Sequence, residues 1–348
     1  MLEVVTRSDL GDLTEAWDRL LDQQPHATPH LRSWWLRSSA KGQPLFVLFV
    51  DQGRLIGGIP LELDRWRGLT RARVMASRSW PSGFDLIAES NRTVEVVDAL
   101  GEWFLSSPIQ LLDLAGVLGD ARALSALSGS IHSEESGSAW VIDLPSNLDE
   151  YLSTKSRDFR RDLTRAGRRV ADAGLTAQQV PPDQVERALA TLKVLHEAQF
   201  RDGSKFLPFF PAFAESARQG VLRGEVLFYE LADTAGQTVE IEVWLRLGGG
   251  VWGLVGGRHP DAVPGTGTVL RFWAMERFRE QGISSVDLGG GYGYWKRSWA
   301  TGRRTQLHVV AKRGLRAHLA SSLTLNKRLA GVRKRMQSRE PSRSSDSS

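Results

Sequence analysis

The same order of structural patterns occurs twice along the chain, and this repeat limits the possible folds more than any other feature. Each half contains a hairpin, a strand, a helix and a further strand, as judged from the spacing of apolar and turn residues. These elements are predicted at 45–56, 73–76, 93–105 and 110–114 in the first half, and at 226–244, 251–255, 268–281 and 285–288 in the second. A duplication explains this order, so we expect two related α/β units with a boundary near residues 144–146.

The remaining patterns complete the two units. Further helices are predicted at 10–22, 30–40 and 184–200, and a last strand at 306–310. We therefore assign residues 1–145 to an N-terminal unit, 146–314 to a C-terminal unit with the site, and 315–348 to a basic tail. The tail begins as a basic amphipathic helix and ends in a disordered segment. It either contacts RNA or anionic lipid or simply solubilises the chain.

Composition and charge exclude several classes of protein. The 348 residues carry a formal net charge of +5, with much of the excess in the tail, so an anionic partner is expected. The absence of cysteine excludes disulfides, thiolate metal sites and a cysteine nucleophile. No grouping of histidines and carboxylates has metal-ligand spacing, so we predict no metal. Because neither a membrane-spanning run nor a signal peptide is recognisable, we expect a cytoplasmic protein.

The strand predicted at 285–288 runs into a glycine-rich turn that presents aromatic residues and a lysine. Asp287 ends this strand, where it could accept a proton from an amine nucleophile. Asp113 matches it in the first half, which favours a structural role in capping the turn. Lys296 could neutralise a phosphate or a developing oxyanion, or it is an ordinary surface lysine. The first half has no counterpart of residues 292–296, so we look for chemistry there before Asp287.

The loop before the helix of the second half has the composition of an anion site. In Pro264-Gly265-Thr266-Gly267, the glycines would let backbone N–H groups converge on a phosphate at the helix N-terminus. Arg258 lies nearby and could supply charge. The alternative is a plain loop whose threonine caps the helix, and proline removes one N–H donor.

Two further sets of charged residues are candidates for substrate contact. Glu240 and Glu242 share one face of a strand, and in a cleft they could act as base and orienting group for an amine. Solvent exposure is the interpretation that we favour for them. Basic residues crowd the predicted helix around 155–169, with Arg157 and Arg161 on one face, where like charges repel unless an anion is bound. The alternative is a solvated helix face.

Aromatic residues are concentrated near the same region. The chain has 12 tryptophans, and Trp295 and Trp299 follow the glycine turn directly. We predict that these two form an aromatic wall for substrate. His196 lies next to the apolar stripe of its predicted helix, so we interpret it as structural rather than catalytic.

The strand, Gly-x-Gly loop, helix and strand of the second half resemble the acyl-CoA cradle of the GNAT N-acyltransferase superfamily. Residues 287–290 followed by 294–299 are similar to the C-terminal signature of its CelD/BcsL-type branch, whose members resemble the FemAB peptidyltransferases. Residues 195–201 and the basic helix fit the same branch. The GNAT cradle usually begins with Gln or Arg three residues before its first glycine, and here that position is Ala262.

This resemblance implies two tandem GNAT-like units, each a mixed, mostly antiparallel sheet flanked by helices. It implies transfer of an acyl group from acetyl-CoA or another acyl-CoA, bound at Gly265–Gly267, to an amine of a small-molecule or cell-envelope acceptor. Asp287 would be the base and Lys296 an electrostatic stabiliser. Tyr292 or Tyr294 would give a proton to the leaving thiolate.

Two alternatives follow from the same resemblance. FemAB-like relatives use aminoacyl-tRNA as donor, and the basic helix, the basic tail and Ala262 favour this reaction, with tRNA as a partner. The third possibility is a scaffold for exopolysaccharide assembly that has kept the fold without catalysis. In each case the tandem arrangement suggests a monomer, and the tail could touch a membrane surface peripherally.

Overall fold

The structure, a computed structural model, describes residues 2–24, 28–75, 83–127, 131–290 and 293–317. Its strands are β1 (Leu2–Arg7), β2 (Gln43–Asp51), β3 (Arg54–Trp66), β4 (Leu69–Val74), β5 (Ile87–Ala88), β6 (Leu111–Leu118), β7 (Ile131–Asp143), β8 (Thr176–Gln179), β9 (Val226–Ala232), β10 (Thr238–Leu247), β11 (Gly250–Arg258), β12 (Ser285–Asp287) and β13 (Gly302–Lys312). Its α-helices are α1 (Thr14–Asp22), α2 (Ser33–Ser39), α3 (Thr93–Ser106), α4 (Leu148–Ser153), α5 (Arg157–Asp172), α6 (Val185–Phe200), α7 (Phe210–Leu222), α8 (Thr266–Glu280) and α9 (Tyr294–Trp299).

The strands of the described residues form one mixed sheet. Its order is β1-β2-β3-β4-β6-β13-β7-β12-β11-β10-β9-β8, with β5 beside β3. Only two pairs of these named strands are parallel, β4 with β6 and β11 with β12. Each parallel pair lies in the corresponding place of its half. The predicted fold class, two repeated units with a mostly antiparallel sheet and flanking helices, is confirmed.

The two units exchange their last strands at the centre of the sheet. β7, at the end of the first half, pairs with β12 of the second half. β13, at the end of the second half, pairs with β6 of the first, and β7 and β13 also pair with each other. The predicted boundary between residues 145 and 146 directly follows β7. The two units on either side of this boundary therefore share one continuous sheet.

Helices cover both faces of the sheet and bury three groups of apolar side chains. The largest group packs α1 and α3 against the strands of the first unit, around Trp17 and Phe49. The second joins α2 of the first unit to α6 and α7 of the second, around Trp35. The third packs α8 against β9–β12, around Trp244 and Phe278. Burial of each such aromatic side chain stabilises the fold by about 1.5–3 kcal/mol.

Candidate active site

A wedge-shaped cavity opens between the two parallel strands of the second unit. β11 and β12 pair only through Gly250–Trp252 and Ser285–Asp287. β12 then ends, whereas β11 continues to Arg258. The strands part at this point, beside a cavity of about 490 Å³. The polar side chains of its wall include those of Ser136, Ser138, Lys205, Glu242, Arg271, Lys296 and Gln306.

A β-bulge lies in the same part of β11. Trp244 of β10 faces Gly253, and Val243 faces Val255, so Leu254 is one extra residue opposite β10. A bulge bends its strand and changes the direction of the side chains that follow. The bulge thus contributes to the divergence of β11 from β12.

The two glutamates of β10 are buried beneath α8. Glu240 and Glu242 are only 8% and 7% exposed, so the solvent-exposed orientation that we favoured from the sequence is wrong. Burial, together with the charge of Glu242, raises the pKa of Glu240 to about 7. Burial also raises the pKa of Glu242, against the opposing charge of Arg271. Glu240 therefore titrates near neutral pH, and its ionisation is coupled to the charge of Glu242.

Arg271 of α8 connects these glutamates to the aromatic residues of α9. Its guanidinium forms an ion pair with Glu242 and lies 4.0 Å from the ring centre of Trp295. Trp295 is 40% exposed and lines the cavity, where a substrate could contact it. Trp299 is instead buried in the core, with its ring 5.1 Å from that of Phe159. The prediction that Trp299 forms part of the aromatic wall is therefore wrong.

Asp287 and Lys296 lie at the narrow end of the wedge, where β12 ends. Asp287 is buried, which raises its pKa, and its Oδ1 accepts a hydrogen bond of 2.6 Å from the N–H of Gly289. This bond gives Asp287 the turn-capping role that its match with Asp113 suggested. Lys296 donates from Nζ to the carbonyl of Gly290 at 2.7 Å, and burial lowers its pKa. Lys296 is thus a cation of the cavity wall and not an ordinary surface lysine.

The glycine loop before α8 packs closely against the protein itself. Gly265 has a φ of +100°, and a Cβ there would lie 2.6 Å from the Cβ of Ala166. A Cβ on Gly267 would lie 2.6 Å from Oε1 of Glu240, and Thr266 is fully buried. Both glycines are thus required by close packing. The carboxyl group of Glu240 lies against Gly267 and repels phosphate whenever it is ionised, so the loop fits the pyrophosphate of coenzyme A poorly.

The arginines singled out from the sequence lie outside the cavity. Arg157 and Arg161 are exposed on α5, and Arg161 pairs with Asp158 at 2.8 Å. Arg258 is exposed at the end of β11, in register with Glu240. The structure therefore groups Arg258 with the start of α8 but does not bring the α5 arginines into the wedge.

His196 has two structural partners, in agreement with its expected role. Its Nδ1 lies 2.7 Å from the carbonyl oxygen of Gly256, and its Nε2 lies 2.7 Å from Oγ of Ser204. Oγ of Ser204 also accepts the N–H groups of residues 206 and 207, so its own hydrogen is donated to Nε2. Burial lowers the pKa of His196, as suits this neutral form. Through these two hydrogen bonds, His196 holds the loop that contains Lys205 against β11.

Several wall residues have no clear signal in the sequence. Arg271 stands out only as a cation four residues after Gly267, on a helix face that meets β10. Lys205 lies in a loop without a recognisable pattern. Ser138 and Gln306 come from the exchanged strands β7 and β13, which the sequence alone does not place beside β11.

Some predicted features fall outside the described residues, namely Tyr292, the side chain of Tyr294 and the tail beyond residue 317. Within the described ranges, no three His, Asp or Glu side chains are grouped so that they could bind a metal ion. Among the helices of those same ranges, none combines the length and the apolar character that crossing a bilayer requires.

Comparison with known proteins finds a family match in the second half of the chain. Residues 157–297 match the family model described as the acetyltransferase (GNAT) domain. No curated protein sequence matches the chain significantly.

Solved structures with TM-scores above 0.5 resemble most of the chain, and three of them are as follows. FemX is 13% identical, with a TM-score of 0.64, over 88% of this chain and 96% of that chain. The C-terminal domain of a protein assigned as a lysylphosphatidylglycerol synthetase from Agrobacterium fabrum is 13% identical, with a TM-score of 0.60, over 90% and 95%. L-PGS from Bacillus licheniformis is 12% identical, with a TM-score of 0.54, over 75% and 82%. At these identities the likeness shows the fold. Residues 157–297 are thus similar to a GNAT acetyltransferase domain, and the chain as a whole has a fold similar to that of FemX.

Proposed function

We propose that the chain transfers an acyl group from an activated donor to the amine of an acceptor held in the wedge between β11 and β12. The proposal is carried by one observation: a single cavity wall contains a carboxylate coupled to a second one, Glu242 with Glu240, and two cations, Arg271 and Lys296. Direct transfer requires that the amine is positioned, that its proton is removed and that the oxyanion is stabilised. These residues supply a group for each requirement.

In the proposed reaction the amine nitrogen attacks the carbonyl carbon of the donor, and a C–N bond forms while negative charge gathers on the carbonyl oxygen. Glu242, which lines the cavity, accepts the proton of the amine, and Glu240 changes its own ionisation in response. The ammonium group of Lys296 stabilises the oxyanion. The bond to the leaving group then breaks, and the leaving group takes up the proton held by the carboxylate pair.

Acyl-CoA is the first candidate donor because the GNAT domain match supports it. Beyond Trp252, β11 has no pairing with β12, so this edge can accompany an extended chain that contains amide groups. The packing of Gly265 and Gly267 argues against a phosphate at the start of α8. We therefore assign no step of the reaction to the nucleotide part of coenzyme A.

Aminoacyl-tRNA is the second candidate donor, and a specific observation favours it. Glu240 lies against Gly267 where the phosphates of coenzyme A would bind, whereas exposed arginines line α5 nearby. A lysylphosphatidylglycerol synthetase is named for a lipid that carries an aminoacyl group, which agrees with a cell-envelope acceptor. We also propose that the chain is of the CelD/BcsL type, that it is cytoplasmic and that it acts as a monomer.

Thermal unfolding in the presence of each donor tests the proposal. Stabilisation by acetyl-CoA supports the first donor, and stabilisation by aminoacylated bulk tRNA supports the second. Ala262→Arg should strengthen binding of acetyl-CoA only if the loop of Gly265 holds its phosphates. Glu242→Gln should bind the donor like the wild type but lose transfer. If neither donor stabilises the protein, the non-catalytic scaffold is favoured and the proposal fails.

A further inference from the structure

Gln306 lines the cavity and carries a buried hydrogen-bond donor without a partner among the described residues. Its side chain is only 6% exposed, and the donor atom is Nε2. A buried amide without a partner is destabilising by about 1–3 kcal/mol, so such groups in native proteins call for an explanation. A hydrogen-bond acceptor on a bound substrate supplies one.

The backbone around Gln306 is held in place by the exchanged strands. Its carbonyl accepts a hydrogen bond of 3.2 Å from Oγ of Ser136. Gln306 faces Gly137 and Leu307 faces Glu135, so Ser136 is the extra residue of a bulge in β7. A bulge next to a site redirects side chains toward it. The orientation of Gln306 is therefore built into the sheet.

The charge of the cavity indicates what kind of acceptor would meet this amide. Lys205, Arg271 and Lys296 line the cavity as cations, and Glu242 is the anion among its lining residues. Arg271 is already paired with Glu242, which leaves the two lysines in excess. Opposite charges attract, so an excess of cations in the wall favours an acidic group on the ligand.

We propose that Gln306 and Lys205 form a subsite for a carboxylate of the acceptor, so that the acceptor is an amino acid or a short peptide and not a simple amine. This inference rests on the proposed acyl transfer, in which Glu242 receives the proton of the acceptor amine. The two residues of the carboxylate subsite come from β13 and from the loop after α6, and both line the cavity. Both Gln306 and its support Ser136 lie outside the segment that matches the GNAT family. The exchanged strand β13 thus contributes to acceptor specificity.

Binding of matched probes to the full chain tests this proposal without any donor. Glycine, phenylalanine, lysine and triglycine are compared by calorimetry with methylamine, 2-phenylethylamine and 1,5-diaminopentane, which lack only the carboxylate of the corresponding amino acids. At least one carboxylate-bearing probe should bind about tenfold or more tightly than its matched amine, as expected for a hydrogen bond to a charged group. A preference for triglycine over glycine identifies a peptide, and the reverse identifies a free amino acid.

Two variants assign the preference to Gln306. In Gln306→Leu the ratio between amino acid and amine should fall about tenfold, and in Gln306→Glu it should fall further because the new carboxylate repels the ligand. Gln237→Leu, at an exposed position in the turn between β9 and β10, should keep the ratio. Equal binding of amino acids and amines by the wild type, absence of binding by all probes, or an unchanged ratio in both Gln306 variants would overturn the proposal.

A second arm separates this inference from the proposed function. Acetyl-CoA or aminoacylated tRNA is added to the best-binding probe, and amide product is sought by mass spectrometry. Selective binding without product from either donor contradicts acyl transfer and leaves the carboxylate subsite intact. Product that forms equally well from amino acids and amines supports acyl transfer and contradicts the subsite.

Discussion

The two units place the same parallel strand pair in different surroundings. In the first unit β4 and β6 pair through Arg71–Arg73 and Leu111–Asp113, just as β11 and β12 pair in the second. β6 then continues across Gly116, which has a φ of +73°, and reaches Leu118. Phe84 pairs with β6 beyond the end of β4, so a chain segment occupies the gap.

In the second unit the corresponding strand stops after Asp287, and the chain turns at Gly289 with a φ of +76°. The aspartates of the two matching strands also have different partners. Asp113 is bonded to Arg71 and His308, whereas Asp287 bonds to the backbone and leaves Lys296 at the cavity. The comparison teaches that the fold supplies a potential cleft in each unit, and that the site develops where no segment fills it.

The sharpest test of this difference compares one buried glutamate from each unit. Glu242→Gln should reduce kcat/KM for acyl transfer by about 100-fold or more, because it removes the group proposed to accept the proton. Glu62→Gln should leave kcat/KM nearly unchanged and lower stability, since Glu62 accepts the N–H groups of Lys41 and Gly42. Steady-state rates and denaturant unfolding measure the two effects. Equal loss of activity in both variants would contradict the functional difference between the units.

Truncation of Phe84, the residue that fills the strand gap of the first unit, tests that unit directly. Phe84→Ala should lower the free energy of unfolding by about 3–5 kcal/mol, because it leaves a cavity where the strand gap is now packed. Val94→Ala, at an exposed position on α3, should have little effect. Denaturant titration of both variants measures their free energies of unfolding. A loss below about 1 kcal/mol in the Phe84 variant would mean that the first gap is not held closed by this residue.

In the second unit, a substitution of Glu240 is expected to raise stability instead of lowering it. Its folded pKa of about 7 lies above the ordinary value of 4.5, so its contribution to stability is present below pH 4.5 and is lost as the pH rises to 7. Glu240→Gln should therefore unfold less readily than the wild type at pH 8, by up to about 3 kcal/mol, and show no gain at pH 4. Unfolding curves across this range provide the measurement. A variant that is less stable at pH 8 would assign Glu240 a stabilising role instead.

His308 should produce the smallest effect. Its hydrogen bond with Asp113 raises its pKa, so its stabilisation is complete below the ordinary pKa of 6.5 and is lost as the pH rises through the higher folded value. His308→Gln should cost about 1 kcal/mol at pH 5.5 and almost nothing at pH 9. The exposed His132 provides a matched His132→Gln control. NMR titration of the imidazole would contradict the prediction if its pKa were not raised.

Periodicity predicted most of the fold because most helices and strands have one buried face. β7 was missed because its first half consists of polar residues such as His132, Glu134 and Ser136, with no apolar alternation. α7 was missed because the aromatic run before it, around Phe209, conceals its start. Alternation in β10 correctly placed both glutamates on one face. It could not tell which face α8 covers, since that depends on packing between distant segments.

Within the site, the sequence directed attention to the turn after Asp287, and Lys296 and Trp295 do line the cavity. The wall opposite them was beyond prediction. Gln306 reaches the wedge only because β13 crosses into the first unit beside β7. Long-range strand pairing leaves no local pattern from which such a neighbour could be inferred.

The exchange of β7 and β13 also constrains the order in which the protein can be completed during synthesis. β6 gains β13 as its neighbour only after residue 312 has been translated. Until then the nascent first unit presents an unpaired strand edge, a form that invites aggregation and that chaperones protect. The N-terminal half therefore cannot finish folding on the ribosome ahead of the C-terminal half, and the two mature together when the last strand arrives.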